Sequence, residues 1–116
     1  ARVPLENYLK GHATGDGEYI RKAFHPDAKV MSYRDGKFNQ LTVVEFAARF
    51  SGKPAGDEAR RKRRIVNLDI VGNTATAKIE LDYPQAFITD YMALMKIDGE
   101  WKIVNKIFYS EPKAKQ

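Results

Sequence analysis

Three side chains of this sequence, Tyr8, His12 and Asp90, carry acid–base chemistry in settings where it could be used. Tyr8 and His12 lie four residues apart in a helical stretch. They share its face with Leu5 and Leu9, so a phenol and an imidazole point the same way as apolar groups that seek a core. Satisfaction by backbone or water and contact with a bound molecule are both open to them. Asp90 sits in a run of strand formers, Phe87, Ile88, Tyr91, Met92 and Leu94, where an ionised carboxylate is costly without a partner. Desolvated beside a tyrosine or a histidine it gains basicity and becomes a useful base; a cross-strand salt bridge to Lys106 also explains it. A base and a polarising donor together would perform proton transfer at carbon, the work of isomerases, dehydratases and cyclases or of an engineered proton-transfer catalyst.

Other chemistries find no residues to carry them. With no cysteine there is no thiolate nucleophile and no thiolate metal site. His25 and Asp27 flank Pro26, but two ligands in a chain with two histidines make no metal cluster; they read as a helix exit, and neither a metal nor a cofactor is expected. No glycine loop cradles a phosphate, no spacing suggests a Ser-His-Asp set, and no carboxylate pair is placed for glycoside chemistry. The net charge of +5 raises nucleic acid as a partner. Five of the twenty basic residues form one run, Arg60 to Arg64, which reads as a solvated face. The tail adds only Lys113 and Lys115, and specific nucleic-acid binding is not expected.

A helix over Leu5–Thr14 must present Tyr8 and His12, with Pro4 in its first turn and Gly15 at its stop. Asp16 caps a second helix that carries Ile20, Ala23 and Phe24 and ends at His25-Pro26. Lys29–Tyr33 and Lys37–Leu41 flank Asp35-Gly36 and predict a hairpin. Thr42-x-x-Glu45 is a capping box for a helix carrying Val43, Phe46, Ala47 and Phe50, broken by Gly52 and Pro54. Residues 52–59 then read as an exposed connection. Arg64–Val71 and Thr74–Tyr83 flank Gly72-Asn73, with Val66, Leu68 and Ile70 opposite Ala75, Ala77 and Ile79. Phe87–Ile97 and Glu100–Tyr109 flank Asp98-Gly99 in a long final hairpin that is apolar on both faces. One face needs the helices and the other is most simply covered by a second copy, so a homodimer is expected.

The order of elements resembles the nuclear transport factor 2-like superfamily. Its carriers are Tyr8 with Gly15-Asp16, Phe24-His25-Pro26-Asp27-Ala28, and Asp98-Gly99-Glu100-Trp101-Lys102-Ile103-Val104. Within it, Gly11 to Asp16 and the ending Trp101 to Phe108 look most like the lumazine-binding-like family. The resemblance implies an α+β, cystatin-like cone: three helices packed on a strongly curved, mainly antiparallel sheet in the order ααββαββββ, enclosing a ligand pocket. Ketosteroid isomerase belongs to this superfamily, and laying its first helix on this one puts its oxyanion-holding tyrosine at Tyr8. Its proton-abstracting aspartate then falls at Ser32 and its protonated carboxyl at about Ala93, so neither acid carries over, and any base must be another group.

Simple alternation gathers Asp90, Met92 and Leu94 with Trp101, Ile103, Asn105 and Ile107, and leaves Tyr91, Ala93 and Met95 with Val104, Lys106 and Phe108. The comparison with ketosteroid isomerase favours the second set as pocket lining, whereas Trp101 and Ile103 look like core. A bulge near Val104 satisfies both. The expected ligand contacts are Tyr8, His12, Ser32, Tyr91, Met95 and Lys106, with Asp90 as the base and Tyr8 as the oxyanion donor of any reaction.

With 116 residues the chain is expected to be one domain, residues 1–116. No apolar run approaches the roughly 20 residues of a membrane span. The chain opens at Ala1 with no charged-then-apolar leader, so any targeting peptide is expected to have been removed or never present; a soluble protein is expected, its compartment open with the cytoplasm slightly favoured. The leading expectation is binding of a small apolar or aromatic molecule. General acid/base catalysis is the rival reading, and a protein-interaction module the third.

Overall fold

A computed structural model describes residues 1–114; Lys115 of the basic tail lies outside the described residues. Two helices come first, α1 (Arg2–Thr14) and α2 (Gly17–Ala23). The strands β1 (Phe24–Arg34) and β2 (Lys37–Thr42) follow, then α3 (Val43–Ala47), then β3 (Lys62–Val71), β4 (Thr74–Asp82), β5 (Ala86–Ile97) and β6 (Glu100–Pro112). The strands form one six-stranded sheet in the order β2-β1-β6-β5-β4-β3. Every neighbour pair is antiparallel except β1 with β6, which is parallel. The sheet curves around the helices without closing, an α+β cone.

Local chemistry sets the boundaries. Asp16 accepts a hydrogen bond from the Glu18 amide at 2.9 Å and starts α2. Thr42 and Glu45 exchange both bonds of the capping box and start α3. That helix is shorter than expected and closes at Ala47, leaving Phe50 on the turn beyond it. The amide of Asp27 donates to His25 Nδ1 at 3.1 Å, so His25 serves the chain's exit from α2 into β1. Asp35 and Asp98 hold φ of 52° and 51° in the two Asp-Gly hairpin turns.

Gly15 ends α1 with φ +74°, and a Cβ there would stand 1.9 Å from the Lys53 carbonyl oxygen. Only a glycine lets the connection after α3 lie on the end of α1, where Gly52 N donates to Gly15 O at 2.8 Å. That connection is less loose than the sequence suggested. Glu58–Arg60 makes a single 3₁₀ turn, Arg63 forks onto Glu58 at 2.7 Å through both terminal nitrogens, and Arg61 Nε meets Asp57 at 2.7 Å.

The core fills the concave side. Leu5, Tyr8, Ile20, Phe24, Val43 and Phe46 from the first half meet Ile79, Leu81, Met92, Leu94 and Ile103 from the sheet. Two irregularities decide what else points inward. In β3 the pairing skips Val66, so Ile65 opposes Ile79 and Leu68 opposes Ala77. Val66 is therefore not on the inner face as simple alternation predicted, and it is exposed. In β6 the pairing runs Leu94 to Ile103 and then Ala93 to Asn105, which leaves Val104 as the extra residue. The bulge expected near Val104 is present. Among the described residues no helix is long and apolar enough to cross a membrane.

Candidate functional site

The Val104 bulge builds the site. It keeps Ile103 inward beside Leu94 and then shifts the alternation by one, so Lys106 and Phe108 also turn inward, opposite Met92 and Asp90. Without a bulge, alternation from Ile103 would turn Lys106 outward with Phe108 and bring Ile107 inward. Asp90 and Lys106 are thereby brought together under α1, two charged side chains enclosed at 0% and 4% exposure.

Tyr8 joins them from α1. Lys106 Nζ donates to the Tyr8 hydroxyl at 2.8 Å, and that hydroxyl donates its own proton to Asp90 Oδ2. Lys106 Nζ also stands 3.7 Å from Asp90 Oδ1, an ion pair without a full hydrogen bond. The rings of Phe46, Phe108 and Tyr8 surround the ammonium at 4.5, 4.9 and 4.9 Å. The salt bridge and the embedded carboxylate of the sequence reading are thus one arrangement. Its proton count has a consequence: Tyr8 has one hydroxyl proton and Asp90 holds it, whereas Lys106 has three donors and spends one on Tyr8.

Burial dominates the electrostatics. Desolvation raises the Asp90 pKa above the ordinary carboxylate value, with the Lys106 charge and the Tyr8 bond pulling it back. Desolvation lowers that of Lys106 against the support of Asp90. The Tyr8 phenol is pushed well up, first by burial and then by the neighbouring carboxylate. Asp90 Oδ1 is buried with no hydrogen-bond partner among the described residues, and so is His12 Nε2. His12 packs edge-on to Tyr8 with ring centroids 4.7 Å apart and lies 5.1 Å from Phe50. Burial holds its pKa well below the usual histidine value, with the charges of Lys106, Arg63 and Arg61 adding to the effect.

Two clefts flank this cluster. One, of about 460 Å³, lies between the β1–β2 hairpin and the end of α3, with Val30, Ser32, Leu41, Arg49 and Phe108 in its wall. The other, of about 300 Å³, has His12, Phe46, Phe50, Arg49, Lys53 and Arg61 in its wall. Phe108 and Phe46 stand between the clefts and the Lys106 amine. Among the described residues no three His, Asp or Glu side chains gather at metal-holding distance.

The structure therefore brings Tyr8, His12, Asp90 and Lys106 together and sets Ser32 in the wall of the adjoining cleft. It does not bring Tyr91 or Met95. Both lie on the convex face, 51% and 39% exposed, because the inward set of β5 is Asp90, Met92 and Leu94. Sequence reasoning missed the arginines. Arg63 faces inward and donates to the Tyr83 hydroxyl at 3.0 Å, and the Arg61 guanidinium stacks 4.2 Å from the Tyr83 ring. The run Arg60 to Arg64 is thus not one solvated face, since Arg64 also pairs with Glu80. The legible signal was the parity of Arg63 with Ile65.

Residues 1–109 match the family model described as "putative lumazine-binding". The chain belongs to that family. A curated relative, the aldolase FrzH of a Cladobotryum species, is 29% identical over 111 residues, covering 91% of this chain and 85% of its own. A nuclear transport factor 2-like protein from Shewanella baltica superposes with a TM-score of 0.84 at 27% identity, covering 95% of this chain and 90% of that one. Another from Methylobacillus flagellatus superposes at 0.79 with 33% identity, covering 93% and 86%. The fold and family expected from Tyr8, Phe24–Ala28 and Asp98–Val104 are the ones found.

Proposed function

We propose that this protein takes a small, largely apolar carbonyl compound into the cone and moves a proton at the carbon beside its carbonyl. The observation that carries the reading is the enclosed chain Lys106–Tyr8–Asp90, with a carboxylate oxygen, Oδ1, left over. Asp90 Oδ1 accepts the C–H proton, the electron pair of that bond moves into an enolate, and an N–H of Lys106 bonds the enolate oxygen. The carboxylic acid so formed returns the proton to carbon. Tyr8 keeps its bond to Oδ2 throughout and is a positioning residue for Asp90; the oxyanion donor of this site is Lys106. A ligand reaches the cluster by turning aside the rings of Phe46 or Phe108, which wall the two clefts.

The aldolase relative supports the reading, because aldol chemistry begins with loss of a proton from carbon next to a carbonyl. The test is exchange of the α-hydrogens of an aryl ketone for deuterium, followed by NMR. Wild type is expected to catalyse the exchange and Asp90→Asn to lose about a hundredfold or more. A wild type no faster than buffer, in a protein that nonetheless binds the ketone, would leave ligand binding as the function.

We propose further that the convex face pairs with a second copy. Tyr33, Phe38, Tyr91, Met95, Ile107 and Tyr109 are large, exposed and apolar on that face, and an area of this kind is uncommon on a lone domain.

A further inference from the structure

The cleft walled by His12 combines features that the proton-transfer reading leaves unused. Arg49, Lys53 and Arg61 bring three positive charges to a volume of about 300 Å³, and no carboxylate stands in its wall. The acids nearest in sequence leave two of these charges uncompensated. Glu45 is spent on the amide of Thr42 and Glu58 on Arg63, while Asp57 pairs with Arg61 itself, through Nε, and with Gln85. Neither Arg49 nor Lys53 has an ion-pair partner among the described residues. The site is held in place: Gly15 and Gly52 pin the segment that carries Lys53, and Tyr83 and Asp57 hold Arg61 from behind.

The second observation is His12. Its imidazole belongs to the wall of this cleft, and its Nε2 is buried without a partner. An uncompensated ring nitrogen costs stability and calls for a bound group. The edges of Phe46 and Phe50 complete the wall with apolar surface suited to a flat body.

We propose that this cleft binds the anionic end of an aromatic carboxylic acid, with Arg49, Lys53 and Arg61 on the carboxylate and the Nε2 edge of His12 against it. The proposal rests on the proton-transfer reading for the ligand's direction, since His12 lies between this cleft and Tyr8: the substrate class becomes carbonyl compounds that also carry a carboxylate. Recognition itself is independent of catalysis, which lets the two be separated.

The experiment titrates the protein with 2-naphthoate and, in parallel, with the neutral 2-naphthamide at physiological salt, following affinity and the His12 ring resonances by NMR. The acid is expected to bind about tenfold or more tightly than the amide and to shift the His12 resonances. In the Arg49→Gln/Lys53→Gln variant, whose exposed side chains leave the core untouched, the preference is expected to fall to about twofold or less. In Asp90→Asn the preference is expected to survive. Equal affinities, a preference that outlasts Arg49→Gln/Lys53→Gln, or unmoved His12 resonances would overturn the proposal. Absent proton exchange with the preference intact supports this site while removing the catalytic reading.

Discussion

At the residue scale, Asp90 and Lys106 are each expensive and are tolerable only together. Removing one partner of an enclosed ion pair strands the other, so Asp90→Leu and Lys106→Met should each lower unfolding stability by about 3 kcal/mol or more. The double variant Asp90→Leu/Lys106→Met should recover most of that loss, because neither charge then needs compensating. Denaturation by urea across the four proteins measures the coupling; additive losses would mean that the pair is not coupled in the folded state. His12 gives a pH signature. Its folded pKa is depressed by burial and by nearby cations, so on lowering the pH the unfolded chain takes up a proton before the folded chain does. Its contribution is fully present above the unfolded value near 6.5 and is lost as the pH falls toward the folded value, by up to about 1.4 kcal/mol per unit. Urea midpoints from pH 7.5 down to 5 should show this slope in wild type and not in His12→Gln. Tyr8 and Asp90 were legible as single residues from the apolar groups around them. Arg61 was not, because its inward role depends on a stack with Tyr83, twenty-two positions on, that no local pattern encodes.

At the element scale, two irregularities place the chemistry. The bulge at Val104 decides whether Lys106 points at Asp90 or at water. Deleting Val104 should remove the bulge and leave Ile103 and Lys106 two positions apart on the inward face, so Lys106 keeps Asp90 and cooperative unfolding in urea persists; its loss would mean that the bulge is needed for more than this parity. The stop of α1 is the second device. Gly15 and Gly36 share a φ of +74°, yet a Cβ meets a backbone oxygen only at Gly15 and nothing at Gly36. Gly36→Ala should therefore cost about 1–2 kcal/mol for backbone strain alone, and Gly15→Ala clearly more. Equal losses would mean that the Lys53 segment moves away freely. The Val104 bulge could be inferred because two conflicting facings of one strand demanded it. The skip at Val66 could not, since Val66 and Ile65 are equally apolar and the sequence pattern reads the same in either register.

At the scale of the molecule, helices fill the concave side of the sheet and leave an apolar convex side. If that side is a self-association surface, Tyr91→Lys/Ile107→Lys should convert a dimer to a monomer in sedimentation at micromolar concentration without loss of secondary structure. A wild type already monomeric would refute the pairing. The order of elements made the cone legible from sequence, whereas the enclosed cluster emerged only once three distant segments, around Tyr8, Asp90 and Lys106, were folded together. The central claim is that Asp90 acts as a base whose strength Lys106 sets. Its most direct test is the pH–rate profile for deuterium exchange into an aryl keto acid by wild type and Lys106→Met. Burial raises the Asp90 pKa and the Lys106 charge lowers it, so removing that charge should move the acid limb to higher pH and reduce the plateau rate. An acid limb that stays in place when Lys106 is replaced would contradict the account.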